Sequence, residues 1–119
     1  MALFRCGAGA EKLQLEKGHY IAAKHTSAPS TGTYTSGTDI ISGTGYGSCV
    51  VFAPNTSSTQ ITISSNQTIS IAGLKDGNIV DAHTQVNTGT FNRTYNDCDL
   101  IYAMTMGGSG SNSITVTDL

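Results

Sequence analysis

Tryptophan is absent from this 119-residue chain, proline occurs only twice, and charged residues make up 12% of it, about half the average share in globular proteins. Six Lys and Arg in total, with a formal net charge of -2 and a pI near 5.8, exclude the clustered basic surface that phosphate backbones require. The same small net charge argues against disorder, because disordered chains combine low hydrophobicity with strong self-repulsion. No apolar run approaches the ~20 residues that a helix needs to span a bilayer. The opening "MALFRCGAGAEKLQLEKG" has a short apolar stretch from Met1 to Phe4 and no signal-peptide core, so the product is expected to stay in the cytosol where it is made. Cysteine is scarce too: Cys6, Cys49 and Cys98 are an odd number without a C-x-x-C pair, which implies neither a disulfide framework nor a zinc knuckle. Cys49, opening "CVVF", and Cys98, preceding "LIYAM" after Asp99, are expected as small buried hydrophobes, and Cys6 as the more accessible thiol. A chain of this length can bury one core without a disulfide, metal or cofactor.

Hydroxyls and glycine take the place of charge. Ser and Thr together form roughly a quarter of the chain, well above ordinary usage. They alternate with β-branched residues in "QITIS", "TISIAGL" and "SITVTD", the period of a half-buried strand. "HYIAAKH", "TDIIS", "SCVVFA", "NIVDAHTQV", "TFNRTY" and "DLIYAMTM" read as further strands. "TSAPSTGTYTSGT" carries turn chemistry throughout. About eight short strands without a convincing helix predict an all-β fold, an antiparallel β-sandwich or jelly-roll-like barrel. Residues 1–18 are expected to form an N-terminal arm or short strand, and residues 19–119 a single β-sandwich domain.

Within Gln60 to Asn78 the pattern can be read more finely. For Ile61, Ile63, Ile69 and Ile71 to share one face of a hairpin, Ile63 must lie opposite Ile69 across a Ser65, Asn66, Gln67 loop, because a slip of one residue exchanges inside for outside. "KDGN" places Asp76 and Gly77 at a tight turn that accepts positive φ at both central positions. Gly73 is the expected site of a bulge.

Few constellations carry chemistry. His83 and Asp81 stand two apart on one side of a strand, where a carboxylate can orient an imidazole, but no nucleophile is indicated and no enzyme activity is expected. Asp97 and Asp99 flank Cys98 with the spacing for a weak Ca²⁺ site; a solvent-exposed strand entrance is the simpler reading. Tyr34 in "GTYTSG" and Tyr46 in "TGYGS" are candidate sugar-stacking or interface rings, with packing over the core edge as the alternative. The glycine-rich stretches lack the spacing of nucleotide loops. The sequons at Asn55, Asn66 and Asn92 are few enough to arise by chance from the Ser and Thr content.

Charge is divided along the chain, with Arg5, Lys12, Lys17 and Lys24 in the mildly basic start and six Asp in the acidic body. Such asymmetry favours an arm, with Leu3, Phe4 and Arg5 as its contact residues, lying on a neighbouring copy. The opening "MALFRCGAGA", followed by a Ser, Thr and Gly-rich all-β body, resembles small virion structural proteins of tailed bacteriophages, of the head decoration, head fibre or tail accessory type. That resemblance covers about ten residues and carries no site motif. It implies a non-enzymatic virion protein that self-assembles, a trimer among the candidates, and docks on other virion proteins. Neutral hydroxyl and amide side chains lose less on desolvation than Lys or Glu, which suits a surface buried in an assembly. The alternative is a carbohydrate-binding module that takes a cell-surface glycan on Tyr34 and Tyr46.

Overall fold

A computed structural model describes residues 15–24, 28–44, 48–65, 67–85, 89–106 and 111–119. Ten strands run through them: β1 His19–Lys24, β2 Ser30–Thr33, β3 Thr38–Thr44, β4 Ser48–Phe52, β5 Ser58–Ser65, β6 Thr68–Lys75, β7 Asn78–Gln85, β8 Thr90–Asn96, β9 Leu100–Met106 and β10 Ser111–Asp118. They form two antiparallel sheets, one of six strands in the order β2-β1-β4-β9-β6-β7 and one of four in the order β3-β10-β5-β8. The sandwich expected from the alternation is present, with ten strands instead of about eight and no closed barrel. Among the described residues no helix is long and apolar enough to cross a membrane.

The period-two isoleucines build the space between the sheets. Ile61 and Ile63 from β5, Ile69 and Ile71 from β6 and Ile114 from β10 meet Val50, Phe52 and Ile101 in one buried cluster. Each such side chain contributes about 1.5–3 kcal/mol when withdrawn from water. The expected hairpin is corrected, however. β5 pairs with β10 and β8, and β6 pairs with β7 and β9. The segment around Gln67 therefore carries the chain from one sheet to the other, and Ile63 and Ile69 share the core from facing sheets.

The next connection is as the sequence predicts. Lys75 pairs with Asn78, and Asp76 and Gly77 adopt φ of 52° and 80°, the left-handed pair of a two-residue hairpin turn. The ladder shifts register between Gly73 and Leu74, so the bulge also falls where glycine marked it. The tertiary reason lies in the other sheet: a Cβ on Gly73 would stand 2.5 Å from Cδ1 of Tyr95 and 2.7 Å from Sγ of Cys98. β2, within the stretch read as turns, is an edge strand that pairs only with β1.

The outward side of the six-stranded sheet is apolar as well. Val51 stands beside Ile21 and Tyr102, Cys49 beside Met104, and Leu74 beside Leu100, and these residues form a second buried cluster with Ala53 and Leu15. Cys49 is fully buried and disulfide-bonded. This corrects the expectation of three unpaired thiols, since neither count nor spacing could identify an oxidised cysteine. Cys98 is a free thiol of intermediate exposure; burial raises its pKa, with Asp81, Asp99 and Asp97 adding to the effect.

Candidate assembly face

β5 and β10 are the inner strands of the four-stranded sheet, and their alternation leaves polar residues on the side away from the core. Thr62 lies between Thr115 on β10 and Asn92 on β8; Gln60 lies between Thr117 and Thr94; Ser64 lies between Ser113 and Thr90. β3 extends the rows with Ser42 opposite Ser113 and Asp39 opposite Thr115. The result is a grid of hydroxyl and amide side chains in which Asp39, on the edge strand, is the one charge among the described residues. Thr115 Oγ1 donates a hydrogen bond to the Asp39 carboxylate, so even that charge is partnered. The grid arises from strand alternation alone, because inward isoleucine at every second position fixes the remaining residues outward.

Tyr34 does not stand free in a loop. It is 8% exposed and meets Phe52 edge-on with ring centroids 5.6 Å apart. Its hydroxyl donates to Asp118 Oδ1 at 2.6 Å and accepts from the Asn55 backbone N–H at 2.8 Å. Burial first, and the Asp118 contact second, push its ionisation above the ordinary phenol range. The stacking expectation for Tyr34 is therefore corrected in favour of packing at the core edge: no ring face remains for a sugar. Tyr34→Phe is expected to cost about 1–3 kcal/mol, because it leaves the Asn55 N–H and a carboxylate oxygen without their partner, and urea unfolding checks this. Tyr46 lies outside the described residues, as do Leu3, Phe4 and Arg5 of the expected arm.

Of the two aspartates of the candidate Ca²⁺ site, Asp99 is engaged by the chain itself. Asp99 Oδ2 accepts the Asp76 backbone N–H at 2.8 Å and Oδ1 meets Lys75 Nζ at 3.3 Å, binding the β6–β7 turn to the start of β9. These donors hold the Asp99 carboxyl below its ordinary range, the Asp76 N–H first and Lys75 next. Asp97 adopts a left-handed φ of 56° in the turn after β8. No group of three metal-ligating side chains occurs among the described residues. Asp97 and Asp99 are both exposed at this turn.

Asp81 and His83 are not a dyad. Asp81 receives Arg93 Nε at 2.7 Å and Nη2 at 2.8 Å, a bidentate pair joining the β7 edge of one sheet to the β8 edge of the other. His83 stacks on Phe91 at 4.9 Å and shares a 3.2 Å hydrogen bond with Gln85. Arg93 was missed as a partner because the ion pair spans 12 residues and two sheets. It keeps the Asp81 carboxyl below the usual carboxylate range. The buried Tyr95 hydroxyl lies against the pair; burial, followed by the Asp81 charge, raises its ionisation. These contacts close the sandwich along one side. No family model, curated protein or solved structure matches the chain.

Proposed function

We propose that this chain is a non-enzymatic structural protein that self-assembles, in the manner of bacteriophage head decoration, head fibre or tail accessory proteins, and docks through the outer face of its four-stranded sheet. The observation that carries the reading is the grid centred on Thr62, Thr115 and Asn92, an outward sheet face with a single partnered charge. Burying such a face against protein avoids the large desolvation cost of Lys or Glu, and its hydroxyls and amides can find hydrogen-bond partners across an interface. The resemblance of the first ten residues to tailed-phage virion proteins supports the same reading and suggests the virion as the destination.

The glycan-binding alternative is weakened by the burial of Tyr34 and keeps only Tyr46. Mass measured at micromolar concentration in moderate salt tests the leading proposal, with a discrete homo-oligomer expected for the unaltered chain. Thr62→Lys combined with Thr115→Lys is expected to shift it to monomer, with circular dichroism unchanged. A chain that is monomeric throughout, or an oligomer indifferent to both lysines, overturns the assignment of this face.

A further inference from the structure

Four of the described strands stand at sheet edges: β2 and β7 in one sheet, β3 and β8 in the other. An edge offers unpaired backbone groups to a passing strand, and folds blunt it with shortness, bulges, Pro or Lys. Three of these edges are blunted. β2 has four residues, β3 carries an extra residue, Ile40, where its register with β10 shifts, and β7 carries one, Val80, where its register with β6 shifts. β8 is not blunted: it pairs with β5 from Thr90 to Asn96 without a shift, and its sequence TFNRTYN holds neither Pro nor Lys. Its one charge, Arg93, is taken up by Asp81 through Nε and Nη2.

The ladder fixes which groups of β8 are offered. Ser65 N–H donates to the Gly89 carbonyl and Asp97 N–H to the Ser57 carbonyl, both at 2.7 Å, so the odd-numbered residues of β8 bond to β5. By the alternation of an antiparallel pair, the N–H and C=O of Asn92, Thr94 and Asn96 point to the free edge, where the Asn96 carbonyl accepts a long 3.7 Å contact from the Cys98 thiol. Alongside runs an open hollow of about 510 Å³ lined by residues 92–96, Val80 and Cys98, with Val80 57% exposed. We infer that the β8 edge at residues 92–96 pairs antiparallel with the same edge of a second copy, about a twofold axis through Thr94. In that register Thr94 faces its twin, Asn92 faces the partner's Asn96, and Arg93 faces the partner's Tyr95. Hydroxyl meets hydroxyl, amide meets amide, and no like charges are directly opposed. Because every outward side chain stays outward, the axis is perpendicular to the sheet, and two four-stranded sheets become one continuous sheet carrying both hydroxyl grids. The inference rests on the assembly face proposed above, since a ladder this short buries far less than the roughly 1,200–2,000 Å² of a stable interface and holds only chains already joined face to face. A self-matching face contact adds a second twofold, in the plane of the sheet, and the two axes together close a tetramer.

The unaltered chain is expected to have the mass of a tetramer at micromolar concentration in moderate salt. Thr94→Pro removes an N–H that points away from β5, a change an edge strand tolerates, and is expected to halve that mass with circular dichroism unchanged. Thr94→Val, which keeps the N–H, is expected to remain tetrameric. Thr62→Lys with Thr115→Lys reads the face and Thr94→Pro reads the edge, so the two fail separately. A mass that the proline leaves unchanged, or that the valine lowers equally, overturns the edge pairing whatever the lysines do; a mass indifferent to the lysines overturns the face. The register has a test that needs no proline. Opposite residues of a hydrogen-bonded pair have Cα atoms about 5.5 Å apart, within disulfide reach. Peptide mapping of oxidised Thr94→Cys is therefore expected to show the introduced thiol bonded to its own copy, whereas Asn92→Cys forms no such bond. Absence of that bond in Thr94→Cys, or equal cross-linking of Asn92→Cys, overturns the pairing even where the proline variant does not fold.

Discussion

Removing residues 111–119 is expected to abolish cooperative folding. β10 is an inner strand, paired along its length with β5 on one side and β3 on the other, and β3 has no other partner in its sheet. Its loss would take Ile114 and Val116, both fully buried, out of the core and detach Ile41 with the orphaned β3. Each of these side chains accounts for about 1.5–3 kcal/mol of burial. The inter-strand hydrogen bonds go with them, against a total stability of about 5–15 kcal/mol for a domain of ordinary size. Loss of amide chemical-shift dispersion and of a sigmoidal urea transition would show the effect. A control is at hand in Leu119→Ala, at a side chain 62% exposed, where a change within ~0.5 kcal/mol is expected. A truncated chain that unfolds with an unchanged midpoint would contradict the sheet order.

Gly73→Val is expected to destabilise the fold strongly. Glycine here is required by a close approach, since the added Cβ meets the ring of Tyr95, with Cε1 at 2.8 Å as well as Cδ1. Tyr95 is 4% exposed and pinned beneath the Asp81–Arg93 pair, so it has little room to swing away. Overpacking of this kind costs about 1–3 kcal/mol, and more where neighbours cannot move. The cause can be separated from a general strand effect by a double-variant cycle. Tyr95→Leu removes the obstructing ring edge and should make Gly73→Val less costly than in the parent chain. Strict additivity in urea unfolding would mean that the ring is not what requires glycine at this position.

Local chemistry was legible wherever it depends on a residue's own backbone. Asp-Gly announced a turn with two positive φ angles because few other pairs tolerate them, and Gly73 announced a bulge because glycine in a strand has little else to recommend it. What Gly73 accommodates could not be read, since Tyr95 arrives from the other sheet. Tyr34 illustrates the same limit. Its flanking Gly and Thr suggest a loop ring, and only the fold brings Phe52, Asn55 and Asp118 around it.

Strand periodicity by itself determined that this protein is all-β, sandwich or barrel, that Ile61, Ile63, Ile69 and Ile71 point inward, and that the residues between them form uncharged outer positions. Alternation specifies a side relative to the strand's own backbone, so it survives any choice of neighbour. The tertiary structure alone decided that β5 and β6 part into different sheets rather than closing a barrel, that Arg93 rather than His83 takes Asp81, and that the middle of the six-stranded sheet is apolar and buried on both faces around an oxidised Cys49. Those outcomes depend on which distant strands meet, and the free energy that selects them is spread over contacts between residues far apart in the chain.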